Sequence, residues 1–459
     1  MQLTAAEAAR LVSGSVDGDG GVRLTGAEVD SRLVAAGDLF VALKGSRSDG
    51  HVFVADALGT AAAALVRYDA DLDPPPRGRA LIRVHDPLAA YWDLAREVRA
   101  RCDWRVAAVT GSVGKTTTKD MLAALLGTRF RVGASTGNRN STLGLPAQLL
   151  SQPADLEVFV AEAGMSRAGE LDTLGSILGP QLILYTRIAP VHAEFFPDLA
   201  AIARAKAELI PHLDPAGTLV VNADDDNQRA FPEGTRAAVL RYGAADADGR
   251  LSGLEDRGLL GTRFRLHLPT GEAEVELPLA GRHQAENLLA AATAAAALGV
   301  AADDVAGVAA GLEPAPHRGR VHRLAGGVVV VDDSYNASPV AMSRLLGLLA
   351  AAPGRRVAVL GEMYELGEQS EAAHRRVGRE AAAACDLLVA TGGAGADELA
   401  RAARDAGMPA AAVHRAADAD AAGELVGGLL EPGDVVLVKG SRGVGLDRAV
   451  EALLGREAA

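Results

Sequence analysis

From Arg105 onward, apolar runs of strand length alternate with stretches of helical periodicity, and after a break near residue 315 the alternation begins afresh. A parallel sheet covered by helices requires this pattern, because each parallel strand is reached by a crossover and is buried on both faces. RVAAVTG, LEVFVAEAG, QLILYTRI and GTLVVNADD are the strands expected in the first round, with helices in TTTKDMLAALLG, AGELDTLGSIL and DLAAIARAKAELI between them. GTRFRLHLPTGEAEVELPL alternates at period two about a Thr-Gly turn and predicts an antiparallel hairpin on that sheet, followed by a long helix in HQAENLLAAATAAAALG. The second round, VVVVDDSYN, RRVAVLGEM, DLLVATGG and DVVLVKGS, follows the Pro- and Gly-containing LEPAPHRGR and predicts a further doubly wound unit. Ahead of both lies a segment of short mixed elements ending in DADLDPPPRGR, whose proline run stops regular structure. The expected fold class is α/β with three domains. These are a small mixed α/β unit over 1–80, a central doubly wound parallel sheet with the added hairpin over 81–315, and a Rossmann-like unit over 316–459. A chain of 459 residues is long enough for three such cores.

Composition narrows the function. A formal net charge of -13 argues against a general nucleic-acid or anionic-membrane surface, so an anionic substrate has to be held site by site. The two cysteines, Cys102 and Cys385, lie far apart in no metal-like spacing and suggest neither a disulfide framework nor a zinc site. No basic segment followed by an apolar core opens the chain, and LLAAATAAAALGVAA is too short and too alanine-rich to span a bilayer. A cytoplasmic monomer without a membrane span is the expectation.

The stretch AVTGSVGKTTTKDM joins an apolar run to an amphipathic helix through a glycine turn. The common phosphate loop places four residues between its glycines, whereas here only Ser112 and Val113 separate Gly111 from Gly114. The chemistry is nevertheless satisfied. Free N–H groups and the positive end of a helix dipole hold phosphate oxygens, and glycines let the backbone approach. Lys115 neutralises the terminal phosphates, the Thr116 hydroxyl meets a magnesium ion, and Thr117 continues the turn. The plain alternative is a capped glycine turn with a solvated lysine. A phosphate loop by itself does not say what becomes of the phosphate.

The short form T-G-S-V-G-K-T-T resembles the loop of the Mur ligase family, T-G-[TS]-x-G-K-[TS], and further similarities follow in order along the chain. STGNRNSTLGLP is similar to the family's asparagine-rich, substrate-facing element, with Asn138 and Asn140 matching and Ser141 in place of an asparagine. Glu162 ends the run LEVFVAEAG, where a carboxylate points into the ligand crevice of a parallel sheet, and the resemblance makes it a magnesium ligand. In TRIAPVHAEFF the resemblance assigns His192 to a second metal site, while Arg187 stands where asparagine is common. Lys206 in IARAKAELI reads by itself as a solvated lysine on an amphipathic helix; the resemblance implies instead a carbamylated lysine that helps to hold magnesium. The resemblance further implies that Asn287 in GRHQAENLLAAA contacts adenine, that Arg320 in HRGR reaches the nucleotide, and that Asp333 in VDDSYNASP contacts the ribose.

EVDSRLVAAGDLFVALKGSRSDGHVFV is similar to the family's uridine-nucleotide domain, which implies that Ser31 and Arg32 face the uridine diphosphate. DDSYNASP, LGEMYELGEQSEAAH and VLVKGSRG resemble the branch that adds the final dipeptide, and with them Asn336, Lys439 and Arg442 become substrate-side residues. The implied cofactors are ATP and Mg2+. The implied substrates are UDP-N-acetylmuramoyl-tripeptide and D-alanyl-D-alanine, joined through an acyl phosphate, with Lys115, Lys206 and His192 as the catalytic set. The third unit is expected to swing on the linker Ala315 to Gly319. Two alternatives stay open: a ligase adding a third amino acid to the nucleotide dipeptide, and a non-ligating P-loop ATPase module.

Overall fold

Among the residues that the computed structural model describes, 1–45, 48–190, 194–243 and 245–455, the strands gather into four sheets. A two-stranded ribbon and a five-stranded sheet form the first unit. The five strands run in the spatial order Ser15–Gly18, Ala80–Val84, Ala63–Arg67, Asp38–Val41 and Gly26–Glu28. Ala80–Val84 pairs on both sides, antiparallel to Ser15–Gly18 and parallel to Ala63–Arg67. The domain boundary expected at residue 80 is thereby displaced. The prolines Pro74–Pro76 interrupt regular structure in a connection within the sheet, and the apolar run after them returns to it. A proline run ends an element; it carries no information on where the chain goes next.

The helix Pro87–Ala100, started by Asp86 accepting from the Leu88 and Ala89 N–H groups, joins this unit to the next. Its buried stripe of Tyr91, Leu94, Ala95 and Val98 packs in the same apolar cluster as Leu39 and Ile82 of the first sheet and Phe159 and Ile183 of the second. The spacing of three and four residues is that of a single helix face.

The second sheet has nine strands. Arg105–Thr110 lies between Val158–Glu162 and Leu182–Tyr185, all parallel, so Thr110, Glu162 and Tyr185 end side by side. Thr262–Leu268 and Gly271–Leu277 form the antiparallel hairpin at one edge, with inward and outward residues alternating. The helix Arg282–Ala297 is buried along much of its circumference, and its alanines permit close approach to the helix Lys115–Leu126.

The third sheet has six strands, in the order Arg320–Arg323, Val329–Asp332, Val435–Lys439, Arg356–Gly361, Leu387–Thr391 and Val413–Ala416. All its pairings are parallel except the first, and apolar clusters cover both faces. The last strand, Val435–Lys439, returns to lie between Val329–Asp332 and Arg356–Gly361 and parallel to both, which places the ends Asp332, Lys439 and Gly361 together, as at the ligand crevice of other doubly wound sheets. No helix among the described residues is long and apolar enough to cross a membrane.

Candidate active site

The carboxyl ends of the second and third sheets face one cavity of about 550 Å³. On the central side its wall is the glycine turn. Gly111 has a φ of +144°, and a Cβ there would lie 2.0 Å from Thr186 Oγ1; Gly114 has a φ of +87°, and a Cβ would lie 2.6 Å from Asn287 Oδ1. Only glycine satisfies both the backbone and the close approach. Gly114 starts the helix Lys115–Leu126 without any side-chain cap, which leaves the helix start open to the cavity, as an anion site requires. The turn is braced from behind: Ser112 donates through N–H to Arg187 O (2.8 Å) and through Oγ to Ala189 O (2.9 Å). Arg187 therefore contributes its main chain, while its side chain is exposed.

Ser112, Val113, Gly114, Lys115, Thr116 and Thr117 all line the cavity, and Gly111 is buried behind them. Burial lowers the Lys115 amine below its ordinary pKa, Glu162 opposes that shift, and Arg318 adds to it. Glu162, 3% exposed, accepts from Thr116 Oγ1 on one oxygen and from Asn140 Nδ2 on the other, both at 2.7 Å. Its own N–H donates to Ser135 Oγ at 2.9 Å. A hydroxyl and a carboxylate converging beside an anion-binding helix start are hard oxygen donors that fit Mg2+, which takes few protein ligands and completes its shell with phosphate oxygens and water. No three His, Cys, Asp or Glu side chains converge among the described residues, and His192 lies outside them.

Lys206 sits on the helix Leu199–Ala207 and is 1% exposed; it is not among the residues lining the cavity. Burial, with the Lys115 charge adding to it, holds its amine well below the ordinary lysine range. The solvated lysine that its helix pattern suggests is not what the fold contains.

The opposite wall comes from the third unit. Asp333, Asn336, Lys439 and Arg442 line it. Lys439, 2% exposed, donates to the Asp333 carboxylate and to Asn336 O (2.8 Å), so its ammonium holds the Asp333–Asn336 turn together. The Arg318 and Arg442 guanidiniums lie over the Tyr335 ring, 4.1 and 5.4 Å from its centroid. Arg320 does not reach the cavity. It is exposed at the start of the edge strand, in register with Asp332, whereas Arg318, two residues earlier and before the positive-φ Gly319, lines the site. Ser31 and Arg32 are likewise outside it. Arg32 is tied to Asp30 (2.6 Å) with its side chain 85% exposed. Their loop is linked to the asparagine-rich element through Glu28, whose carboxylate meets Arg139 at 2.8 Å.

Asn138, Asn140, Glu162 and Asn287 complete the central side, and Asn287 Nδ2 donates to Gln284 Oε1 at 3.3 Å. His283, Arg344 and Tyr364 also line the cavity but were not singled out in the sequence. His283 precedes Asn287 by one helical turn, and that i, i+4 spacing was the available signal. Burial, reinforced by Arg344, pushes the His283 ring down to about 4, so it is neutral at pH 7.

Comparison with known proteins gives this geometry its context. Residues 23–97 match the Mur ligase family catalytic domain, 109–295 the Mur ligase middle domain and 317–442 the Mur ligase glutamate ligase domain. The chain is 36% identical to the UDP-N-acetylmuramoyl-tripeptide--D-alanyl-D-alanine ligase of Escherichia coli K12, covering 85% of this chain and 86% of that protein. Identity to the ligase of the same name from Mycobacterium tuberculosis H37Rv is 35%, over 99% and 98% of the two chains. Among solved structures, MurF from Acinetobacter baumannii superposes with a TM-score of 0.88 at 29% identity, over 99% of each chain. The MurF ligase of Thermotoga maritima in complex with ADP gives 0.80 at 29%, over 94% of this chain and 97% of that one. Three matched segments in order and close likeness over nearly the whole length lead to one conclusion: this chain belongs to the Mur ligase family.

Proposed function

We propose that this chain is an ATP-dependent ligase that joins D-alanyl-D-alanine to UDP-N-acetylmuramoyl-tripeptide in peptidoglycan precursor synthesis. The observation that carries the reading is the cavity itself, where an open helix start with Lys115, Thr116 and Glu162 faces a second wall from the third unit. The names and lengths of the relatives above support the substrate pair.

The tripeptide carboxylate attacks the γ-phosphorus of ATP and ADP departs, leaving an acyl phosphate. The dipeptide ammonium loses one proton to solvent, its amine attacks the acyl carbon, phosphate leaves, and a second proton passes to solvent as the neutral amide forms. Several anions meet in this sequence, so positive charge has to be in place beforehand. Lys115 and the N–H groups of Gly114 to Thr116 supply it on the phosphate side, and Arg318 and Arg344 line the cavity across from them. Thr116 and Glu162 would hold Mg2+, which when bound supplies charge neutralisation on the phosphates. Asn140 keeps the Glu162 carboxylate turned towards Thr116. Burial pushes the Lys206 amine down from the ordinary lysine range, which favours the neutral form that reacts with CO2, and we assign it as the carbamylated residue. His192, outside the described residues, keeps the metal-site role that the resemblance implies. Asn287 is placed on the adenine, Asp333 on the ribose, and Arg318, which lines the cavity, takes the nucleotide-side role that the resemblance implies for Arg320. Ser31 and Arg32 are placed at the uridine end, Asn138 along the nucleotide sugar, and Asn336 and Arg442 on the substrate side of the third unit, with Lys439 holding their turn. The enzyme acts in the cytoplasm as a monomer.

Phosphate release measured with ATP, the nucleotide tripeptide and D-alanyl-D-alanine tests the reading. Release that requires all three supports it. Release with the nucleotide dipeptide and a single amino acid would move the chain to another branch, and turnover that ignores both peptides would make it a plain ATPase.

A further inference from the structure

On the third unit, the segment Glu362–Leu366 leaves the strand Arg356–Gly361 and forms part of the cavity wall through Tyr364, Glu365 and Leu366. Glu365 has a φ of +63°, one of three non-glycine residues in the left-handed region among those described. A side chain other than Gly, Asn or Asp persists there only when its surroundings over-determine it. They do so here. His374, fully buried on the helix Ser370–Ala384, accepts the Met363 N–H on Nε2 at 2.9 Å, and its Nδ1 donates to Ser370 O at 2.7 Å, which fixes the tautomer. Ser441 Oγ accepts the Tyr364 N–H at 2.9 Å, while the Ser441 N–H donates to Glu362 O at 3.1 Å. The Glu362 carboxylate accepts from the Gly393 and Gly395 N–H groups at 2.8 and 2.9 Å. Three successive residues are thus clamped immediately ahead of the strained one. None of these clamping groups belongs to the phosphate-binding wall.

We propose that His374 is a positioning residue for the second substrate: it holds the Tyr364–Leu366 turn so that Glu365 meets the ammonium of D-alanyl-D-alanine and the Tyr364 and Leu366 side chains meet its methyl groups. This rests on the function proposed above. The chemistry suits that occupant: Leu345, Leu366 and Ala341 give an apolar wall, and the exposed Tyr364 ring packs over Gly443, where a Cβ would come within 2.8 Å of it. A carboxylate attracts an amine and repels phosphate, and Glu365 lies on the third-unit wall, across the cavity from the phosphate-binding turn.

The test is steady-state kinetics of His374→Leu, His374→Gln, Ser441→Ala and Glu365→Gln, varying each substrate in turn. His374→Leu should raise the KM for D-alanyl-D-alanine by about 10-fold or more while the KM values for ATP and nucleotide tripeptide stay within about twofold. His374→Gln, whose side-chain oxygen reaches as far as Nε2, should recover most of that loss. Ser441→Ala and Glu365→Gln should shift the same constant, and they carry the test alone if His374→Leu does not fold. An unchanged dipeptide KM, or an equal change in all three constants, would overturn the proposal. Wild-type protein that does not use the dipeptide would sink the function above and this inference with it; an active wild type with unaffected variants sinks only the inference.

Discussion

The two junctions between units are built differently. The first and second units share one apolar cluster, which runs from Met1, Leu24 and Leu39 through Tyr91 and Leu94 to Phe159 and Tyr185. Polar contacts reinforce it: Tyr91 OH donates to Leu143 O at 2.9 Å, Trp92 Nε1 to Thr142 O at 2.8 Å and Arg99 Nε to Leu178 O at 2.8 Å. The third unit has its own clusters. From the second unit, Leu259 of the connection before the hairpin strand packs against them beside Val331, Leu345 and Leu349, and Glu286 lies 3.9 Å from Arg344. The half-buried Leu259 contributes about 1 kcal/mol and the partly exposed ion pair at most about 1 kcal/mol, and the Gly367 turn also approaches Glu194, so this junction is smaller and more polar than the shared core of the first two units. We propose on this difference that the first two units move as one body and that the third is the part that closes.

The linker refines this. Gly319 N–H donates to Asp332 O (2.8 Å), Tyr335 N–H to His317 O (3.1 Å), and His317 Nδ1 meets the Asp332 carboxylate at 2.9 Å. From His317 onward the linker is fastened to the third unit, so we place the flexing segment N-terminal to it rather than across Ala315 to Gly319.

Breaking the shared core should have the largest effect. Tyr91→Ala is expected to cost about 3–5 kcal/mol in denaturant unfolding and to lower the first two units together, leaving the transition of the third in place. Next comes Lys206, inside the fused body. Its folded-state pKa is depressed, so between that value and the ordinary lysine value the unfolded chain binds a proton that the folded chain does not. Stability contributed by the neutral amine is present above the ordinary value and is lost as pH falls towards the folded one. In CO2-free buffer, Lys206→Met should flatten the pH dependence of unfolding by up to about 1.4 kcal/mol per pH unit across that window and should abolish ligation. Leu259→Ala should cost only about 1 kcal/mol, with small-angle scattering showing the third unit more open without ligands. Glu286→Gln should alter unfolding by less than about 0.5 kcal/mol, which hydrogen exchange confined to that junction would register.

Local chemistry was the legible part of this chain. Strand runs such as RVAAVTG and LEVFVAEAG, the glycine turn before Lys115, and Glu162 at a strand end all express constraints that lie within a few residues of one another. The Thr-Gly turn of the hairpin is of the same kind. What local pattern does not carry depends on tertiary neighbours. Lys206 lies on a helix whose burial is imposed by what packs over it, and Arg318 and Arg320 differ only in which side of Gly319 they fall. The strand Ala80–Val84 follows a proline run that looks like a boundary, and Val132–Ala134 is too short to carry a period. The cationic far wall of the cavity exists only because two sheets face each other.

The most direct measurement is a crystal structure with a non-hydrolysable ATP analogue and Mn2+ in place of Mg2+, read by anomalous scattering. The β and γ phosphates should lie over Gly111 to Thr116, with a manganese peak between Thr116 Oγ1 and the Glu162 carboxylate. Phosphates bound elsewhere, or a metal remote from Glu162, would contradict the ligase chemistry derived for this cavity.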